Sequence, residues 1–379
     1  MKYYLIAGEP SGDLHGANLI EGLRKADPEA QFRFWGGDRM AAVGGAANLA
    51  KHYRETSFFG IVQVLKNLRT IKRQMLECQA DVAAFAPDVL ILVDYPGFNM
   101  KMARWAKEHG IRTFYYIAPK VWAWREWRVK AIRKYVDRLF IIFPFERSYF
   151  PRHGIEPIFE GNPLVDAIEA KRAALPSPDE FRRRNGLDGR PIVALLAGSR
   201  RGEIRDNLPL MADLSKKFPG HQFVVAGVSW LDRALYEQYM AGSDIRYVCD
   251  QTYETLAAAE AAVVTSGTAT LETALLGIPE VVVYRTLWFQ VKLQPYVLNV
   301  PWVSLVNLNL GREAVPEIIQ SDLDITRAER ELRAIVAGGA KREKMLSDFG
   351  ELRKVIGGPG ASDRFAARMV AELHATEVQ

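Results

Sequence analysis

Val89-Leu90-Ile91-Leu92-Val93-Asp94-Tyr95-Pro96-Gly97-Phe98-Asn99 is the stretch that decides the fold. Its first five residues are apolar without alternation, so a strand made from them must be covered on both faces, as in a parallel sheet with helices on either side. Pro96 and Gly97 end the run and leave Asp94 at the strand's C-terminal end, the edge at which open α/β sheets keep their ligands. Asp94 is therefore the candidate general base, and semi-burial beside Tyr95 and Phe98 is expected to raise its pKa. The plainer alternative is an Asp that caps the next helix.

Working outward, similar short runs alternate with helical patterns at 3–7, 31–35, 113–117, 139–143 and 158–160. After a charged, proline-interrupted stretch the alternation resumes at 192–196, 222–226, 245–248, 262–265, 281–284 and 303–306. The expected architecture is two doubly wound parallel-sheet α/β domains, 1–165 and 191–379, joined by a linker at 166–190. Residues 324–376 read as helices and are assigned to the second domain. Two such domains facing each other would form a central cleft suited to two substrates, as in a bisubstrate transferase.

Composition agrees with this architecture. At 379 residues, with 49% hydrophobic and 25% charged residues, the chain is long enough for two or three folded domains and unlike a disordered one. Cys78 and Cys249 form no CxxC, which argues against a disulfide framework or a thiolate zinc site. The short apolar start breaks at Gly8 and Pro10, so no signal peptide is expected, and no run reaches the ~18 to 20 apolar residues of a membrane span. A cytoplasmic location is expected, with any membrane contact peripheral. Residues 1–160 hold 24 Lys/Arg against 17 Asp/Glu, while residues 161–379 hold 26 against 28. The basic excess is confined to the first half and points to an anionic surface or substrate there.

Three further loops carry candidate chemistry. Gly8-Glu9-Pro10-Ser11-Gly12-Asp13 makes the first βα turn, with Glu9, Ser11 and Asp13 as candidate catalytic groups, although Asp13 could serve only as a helix cap. In the second half Gly198-Ser199-Arg200-Arg201-Gly202-Glu203 joins a glycine turn to two arginines at a helix start, a phosphate site by type. Ser266-Gly267-Thr268-Ala269-Thr270-Leu271-Glu272 places hydroxyls and amides at another helix start, with a carboxylate one turn in. Together the last two could hold a diphosphate and a ribose. GxGxxG, GxxxxGK[ST], GxSxG and HExxH are all absent from the sequence. The six histidines are scattered and the one DxD, Asp322-Leu323-Asp324, lies outside the expected strand ends, so neither metal nor cofactor is expected.

Trp122, Trp124 and Trp127 interleave with cations, and Lys66, Arg69, Lys72 and Arg73 line a helical pattern near 61–76. Both segments suit a membrane interface, and both could equally be ordinary amphipathic packing.

The motifs GEPSGD at 8–13, WGGDRM at 35–40, VDYPGFN at 93–99, APKVWAW at 118–124, PFE at 144–146, GSRRGEI at 198–204 and SGTATLE at 266–272 together resemble the lipid-A-disaccharide synthase family. The resemblance continues through Tyr284-Arg285 and SLVNLNLGREAVPEIIQ at 304–320. It implies a family 19 glycosyltransferase of the GT-B fold, acting in lipid A and hence lipopolysaccharide biosynthesis. Such an enzyme joins UDP-2,3-diacylglucosamine to 2,3-diacylglucosamine 1-phosphate (lipid X) through a β-1,6 bond, with inversion and release of UDP. It further implies Arg285 and Asn307 among the substrate-binding residues, a place on the inner leaflet of the cytoplasmic membrane, no nucleic-acid partner, and room for a homodimer. Ala197, Asn162 and Lys120 depart from the family pattern, where proline, histidine and glutamine are common. The competing readings are a GT-B UDP-N-acetylglucosamine transferase or epimerase and, from another class, a basic nucleic-acid-binding protein, which would bind DNA or RNA with strong salt dependence.

Overall fold

The computed structural model of the chain describes residues 1–56, 68–121, 128–285, 301–319 and 325–377. It divides into two compact units, Met1–Asp166 with Gly357–Gln379, and Ala167–Ile356.

The first unit is a seven-stranded sheet in the order β3-β2-β1-β4-β5-β6-β7, every pairing parallel. Its strands are β1 Lys2–Ala7, β2 Gln31–Gly36, β3 Leu49–His52, β4 Val89–Val93, β5 Thr113–Tyr116, β6 Arg138–Ile141 and β7 Pro157–Phe159. All five residues of β4 are buried, as its unbroken apolar run requires. The second unit has six strands in the order β10-β9-β8-β11-β12-β13, again parallel throughout. These are β8 Ile192–Leu196, β9 Gln222–Gly227, β10 Arg246–Cys249, β11 Ala259–Thr265, β12 Glu280–Tyr284 and β13 Glu317–Ile319.

The chain order misplaces the last helix. Ala361–Glu377 follows the second unit in sequence but belongs to the first, packed against the helix Pro10–Ala26. A Cβ at Gly22 would come within 2.9 Å of the Ala366 Cβ, so only glycine lets the two helices approach this closely. Asp166 fixes the start of the helix by accepting from the amides of Gly360, Ala361 and Ser362 and from the Ser362 hydroxyl. The stretch expected as a linker is partly helical, with Pro163–Arg172 and Pro178–Arg184, and Phe181 is buried in the second unit's core. Val303–Val306 is not a strand: the Ser304 hydroxyl caps the helix Leu305–Leu310.

One buried group works against stability. Glu280 opens β12 fully buried, and neither carboxylate oxygen has a partner among the described residues. Burial, with the charge of Glu317 adding to it, pushes its carboxyl well above the ordinary range. The folded chain therefore keeps a proton that the unfolded chain has already lost, and stability falls as pH rises from about 4.5 through the folded value. Glu280→Met should raise the free energy of unfolding by about 1 to 3 kcal/mol at pH 8 and flatten its pH dependence. Urea denaturation at pH 5 and pH 8 checks this. A variant less stable than wild type at pH 8 would contradict it.

Candidate functional site

In the first sheet the strand sequence runs outward from β1 to β3 on one side and from β4 to β7 on the other. The switch point lies between β1 and β4, where the two following loops diverge and open sheets bind ligands. Glu9 follows β1 and Asp94 follows β4, so adjacency of the two strands brings together groups 85 positions apart. Contact is close: a Cβ at Gly8 would fall 2.3 Å from the Tyr95 ring, which is why the loop needs glycine there. Glu9 is half-buried and its charge, after burial, raises the Tyr95 phenol.

Asp94 and Tyr95 are both left-handed, with φ of 45° and 49°, a costly conformation for two consecutive non-glycine residues. Their surroundings hold it in place. The Asn99 amide donates to the Asp94 carbonyl at 2.7 Å and to the Val93 carbonyl at 3.2 Å, and the Tyr115 hydroxyl also donates to the Asp94 carbonyl at 2.7 Å. The helix Pro96–Glu108 begins without a side-chain cap, so Asp94 is not spent as one. Burial pushes the Asp94 carboxyl above its ordinary range, while Lys120 and the Tyr95 amide pull it back. A carboxylate in this setting can take a proton from a hydroxyl.

Asp13 has a different task from the one its position suggested. Its carboxylate is buried and accepts from the amides of Gly37 (2.7 Å), Met40 (3.0 Å) and Arg39 (3.1 Å), which ties down the start of the helix Asp38–Gly44. A carboxylate spent on three amides is poorly placed as a base, so Asp13 is a positioning residue. Ser11 is exposed in the first turn of Pro10–Ala26. Asn162 donates to the Ile142 carbonyl and accepts from the Leu164 amide, so its amide turns the chain into the next helix.

In the second sheet the order reverses between β8 and β11, and the two phosphate-type loops follow these two strands. Gly198 has φ of 114°, and a Cβ there would meet Glu203 at 2.5 Å. The Glu203 carboxylate accepts from the Ser199 amide (2.8 Å), the Arg200 amide (3.2 Å) and the Arg200 guanidinium (2.8 Å). Glu203 therefore shapes the loop from within, and two amides expected to face a phosphate already hold an anion. The Arg200 side chain is nevertheless largely exposed, and Arg201 begins the helix Arg201–Ser215.

Around the other loop, Thr268 is exposed at the start of the helix Thr268–Leu276, beside Gly267 with its φ of 156°. The Ser266 hydroxyl donates to the Val303 carbonyl, and the buried Thr270 hydroxyl donates to the Gly267 carbonyl, so these two side chains hold the turn. Glu272 accepts from the Tyr253 hydroxyl. Burial pushes its carboxyl up, against the Tyr253 hydrogen bond and the charge of Lys171, whose ammonium lies 4.1 Å from the Tyr253 ring centroid. Arg285 is exposed, its amide bonded to Asn207. Asn307 corrects an expectation: it is fully buried, donates to the Val315 carbonyl and Glu317, and accepts from the amides of Ala314 and Val315. No capacity remains for a ligand, and the residue folds the 304–317 segment instead.

Lys120, Tyr115, Tyr253 and Lys171 join these sites without having been singled out as functional in the sequence. Only Lys120 left a signal, as a departure from the family pattern. A cavity of about 590 Å³ lies at the opposite edge of the first sheet, lined in part by Met1, Asp88, Trp105, His109 and Arg112, and it holds none of the candidate residues.

Trp122, Trp124, Trp127 and Lys66 lie outside the described residues, as do Asp322 and Asp324. The latter pair follows β13, a strand the sequence reading did not assign. Arg69, Lys72 and Arg73 are exposed on the helix Leu68–Phe85, and Leu76, on the same face, is 57% exposed. Among the described residues no group of three His, Cys, Asp or Glu could hold a metal ion, and no helix is long and apolar enough to cross a membrane.

Comparison with known proteins gives a consistent picture. The family model described as Lipid-A-disaccharide synthetase matches residues 3–356. The lipid-A-disaccharide synthase of Myxococcus xanthus is 40% identical, covering 98% of this chain and 97% of its own. That of Syntrophus aciditrophicus is 37% identical, covering 96% and 95%. Among solved structures, an S. aureus MnaA–UDP co-structure aligns with a TM-score of 0.69 at 12% identity, over 98% of this chain and 97% of that one. The calicheamicin glycosyltransferase CalG4 aligns at 0.58 and 13% identity, over 100% and 99%. These structural likenesses show the fold, two parallel-sheet α/β units of GT-B type, and the sequence matches add that the chain belongs to the lipid-A-disaccharide synthetase family.

Proposed function

We propose that the chain is an inverting glycosyltransferase of lipid A biosynthesis, joining UDP-2,3-diacylglucosamine to lipid X through a β-1,6 bond and releasing UDP. One observation carries this reading: in a chain of this family, a half-buried carboxylate with a raised pKa stands at one switch point, and a loop of arginines and helix N-termini stands at the other. Asp94 takes the proton of the acceptor 6-hydroxyl as that oxygen attacks the anomeric carbon. The bond to the UDP β-phosphate oxygen breaks in the same step, which inverts the centre. Arg200, Arg201 and the starts of the helices Arg201–Ser215 and Thr268–Leu276 offset the charge that gathers on the leaving diphosphate. Glu272 accepts from the ribose hydroxyls, and Lys120 favours the ionised form of Asp94.

Assay of acylated against unacylated UDP-sugar donors tests the assignment. Turnover should require the acylated donor and lipid X together. Reaction of UDP-N-acetylglucosamine alone would favour the epimerase reading, and salt-sensitive binding to DNA or RNA would favour the nucleic-acid one. With its charge neutralisation supplied by arginines, the enzyme should keep its rate in EDTA. Loss restored by Mg²⁺ or Mn²⁺ would refute that point.

Both substrates carry acyl chains, and lipid X must be collected from a bilayer, so the protein is proposed to dock on the inner leaflet of the cytoplasmic membrane. The exposed cations Arg69, Lys72 and Arg73 beside Leu76 support this contact. Each cation contributes about 1 kcal/mol against anionic lipid. Flotation with anionic liposomes should retain the wild type reversibly, lose it at high salt, and weaken when all three are changed to Glu. A wild type that ignores anionic vesicles would contradict the docking.

A further inference from the structure

Trp230 is 68% exposed, so most of a large aromatic ring is left in water. It lies just past the C-terminal end of β9, in the loop beside the one that follows β8. Its indole N–H donates to the Ser199 carbonyl at 3.1 Å, so one edge of the ring is anchored to the Gly198–Arg200 turn. The backbone beneath it is fixed as well: the Ser229 amide donates to Asp250 at 3.0 Å and the Val228 amide to the Tyr236 hydroxyl at 3.3 Å. An indole held by its edge and its backbone, with its surface bare, is a stacking platform already in place.

Its position defines what it would stack. Tyr253 lies in the first turn of the helix Thr252–Ala258, which follows β10, and donates to Glu272, so the carboxylate proposed for the ribose meets the β10 side of the sheet edge. β9 lies between β8 and β10. A nucleoside diphosphate with its phosphates at the Arg200 and Arg201 side chains and its ribose at Glu272 would direct its base toward the loops after β9 and β10, where Trp230 stands.

We propose that Trp230 is the stacking platform for the nucleobase of the donor and a residue that sets nucleotide affinity in the second unit. The proposal rests on the UDP-binding reading given above. Base–aromatic stacking tolerates any planar base, so the platform supplies affinity while hydrogen bonds supply the choice of base.

Calorimetry on the full chain tests this, with wild type, Trp230→Phe and Trp230→Ala each titrated with UDP and with inorganic pyrophosphate. Trp230→Ala should bind UDP roughly 5- to 150-fold more weakly and bind pyrophosphate as the wild type does. Trp230→Phe keeps a ring and should lie within a few-fold of wild type. UDP should also quench a component of the wild-type tryptophan emission that is missing in Trp230→Phe. Unchanged UDP affinity in Trp230→Ala overturns the platform and leaves the UDP reading intact. Equal loss of UDP and pyrophosphate also overturns it, since the ring would then merely support the turn. A wild type that binds no UDP overturns the reading and the platform together.

Discussion

Asp94→Asn lowers kcat by about 10²- to 10⁴-fold, the usual cost of removing a general base, while the fold is retained. Retention is expected because the long-range contacts that hold this strained turn, from Asn99 and Tyr115, run to the Asp94 backbone carbonyl, and an asparagine side-chain oxygen can still accept from the Tyr95 amide. The same carboxylate sets the acid limb of the pH profile. Its pKa is raised by burial, so kcat falls as pH drops through a value above the ordinary carboxylate range of about 4. Lys120 opposes that rise, and Lys120→Met should therefore move the limb to higher pH. Single-turnover kinetics across pH on the three proteins checks both statements. Near wild-type turnover by Asp94→Asn would pass the role to Glu9, the other carboxylate at this switch point.

Glu272→Ala weakens UDP by about 10- to 150-fold, equivalent to the 1.5 to 3 kcal/mol of a hydrogen bond to a charged group. The helix Thr268–Leu276 should survive, because its Gly267 and Gly277 ends and its buried Leu271 and Ala274 do not depend on that carboxylate. Tyr253→Phe separates direct contact from support: the carboxylate stays, its orienting hydroxyl goes, and the loss should be smaller. Unchanged UDP affinity of Glu272→Ala in calorimetry would move the ribose elsewhere.

Much of this was legible in the sequence, for physical reasons. Parallel strands such as Val89–Val93 and Ile192–Leu196 are buried on both faces and declare themselves as unbroken apolar runs. Two of the four edge strands do not: Leu49–His52 and Glu317–Ile319 are short, partly exposed and carry Lys51, His52 and Glu317. Val303–Val306 shows the ambiguity of a brief apolar run, settled in favour of a helix by the Ser304 cap. Candidate residues were found where they follow strands, since strand ends mark the ligand edge. What each side chain spends its hydrogen bonds on was not legible. Asp13 and Asn307 have the right chemistry at suggestive positions, yet their partners, Gly37 to Met40 and Val315 to Glu317, use up that chemistry in folding. Long-range contacts account for the rest: Ala361–Glu377 returns to the first unit, and Trp230 reaches Ser199, through neighbours that no local pattern encodes.

The central claim is the chemistry itself, and one measurement meets it directly. Purified protein is incubated with UDP-2,3-diacylglucosamine and lipid X, and the lipid extract is examined by mass spectrometry. The account predicts a diacylglucosamine disaccharide monophosphate that forms only when both lipids are present, accompanied by UDP and missing with Asp94→Asn. Full recovery of both lipids unchanged, from a folded protein shown to bind UDP, would contradict it.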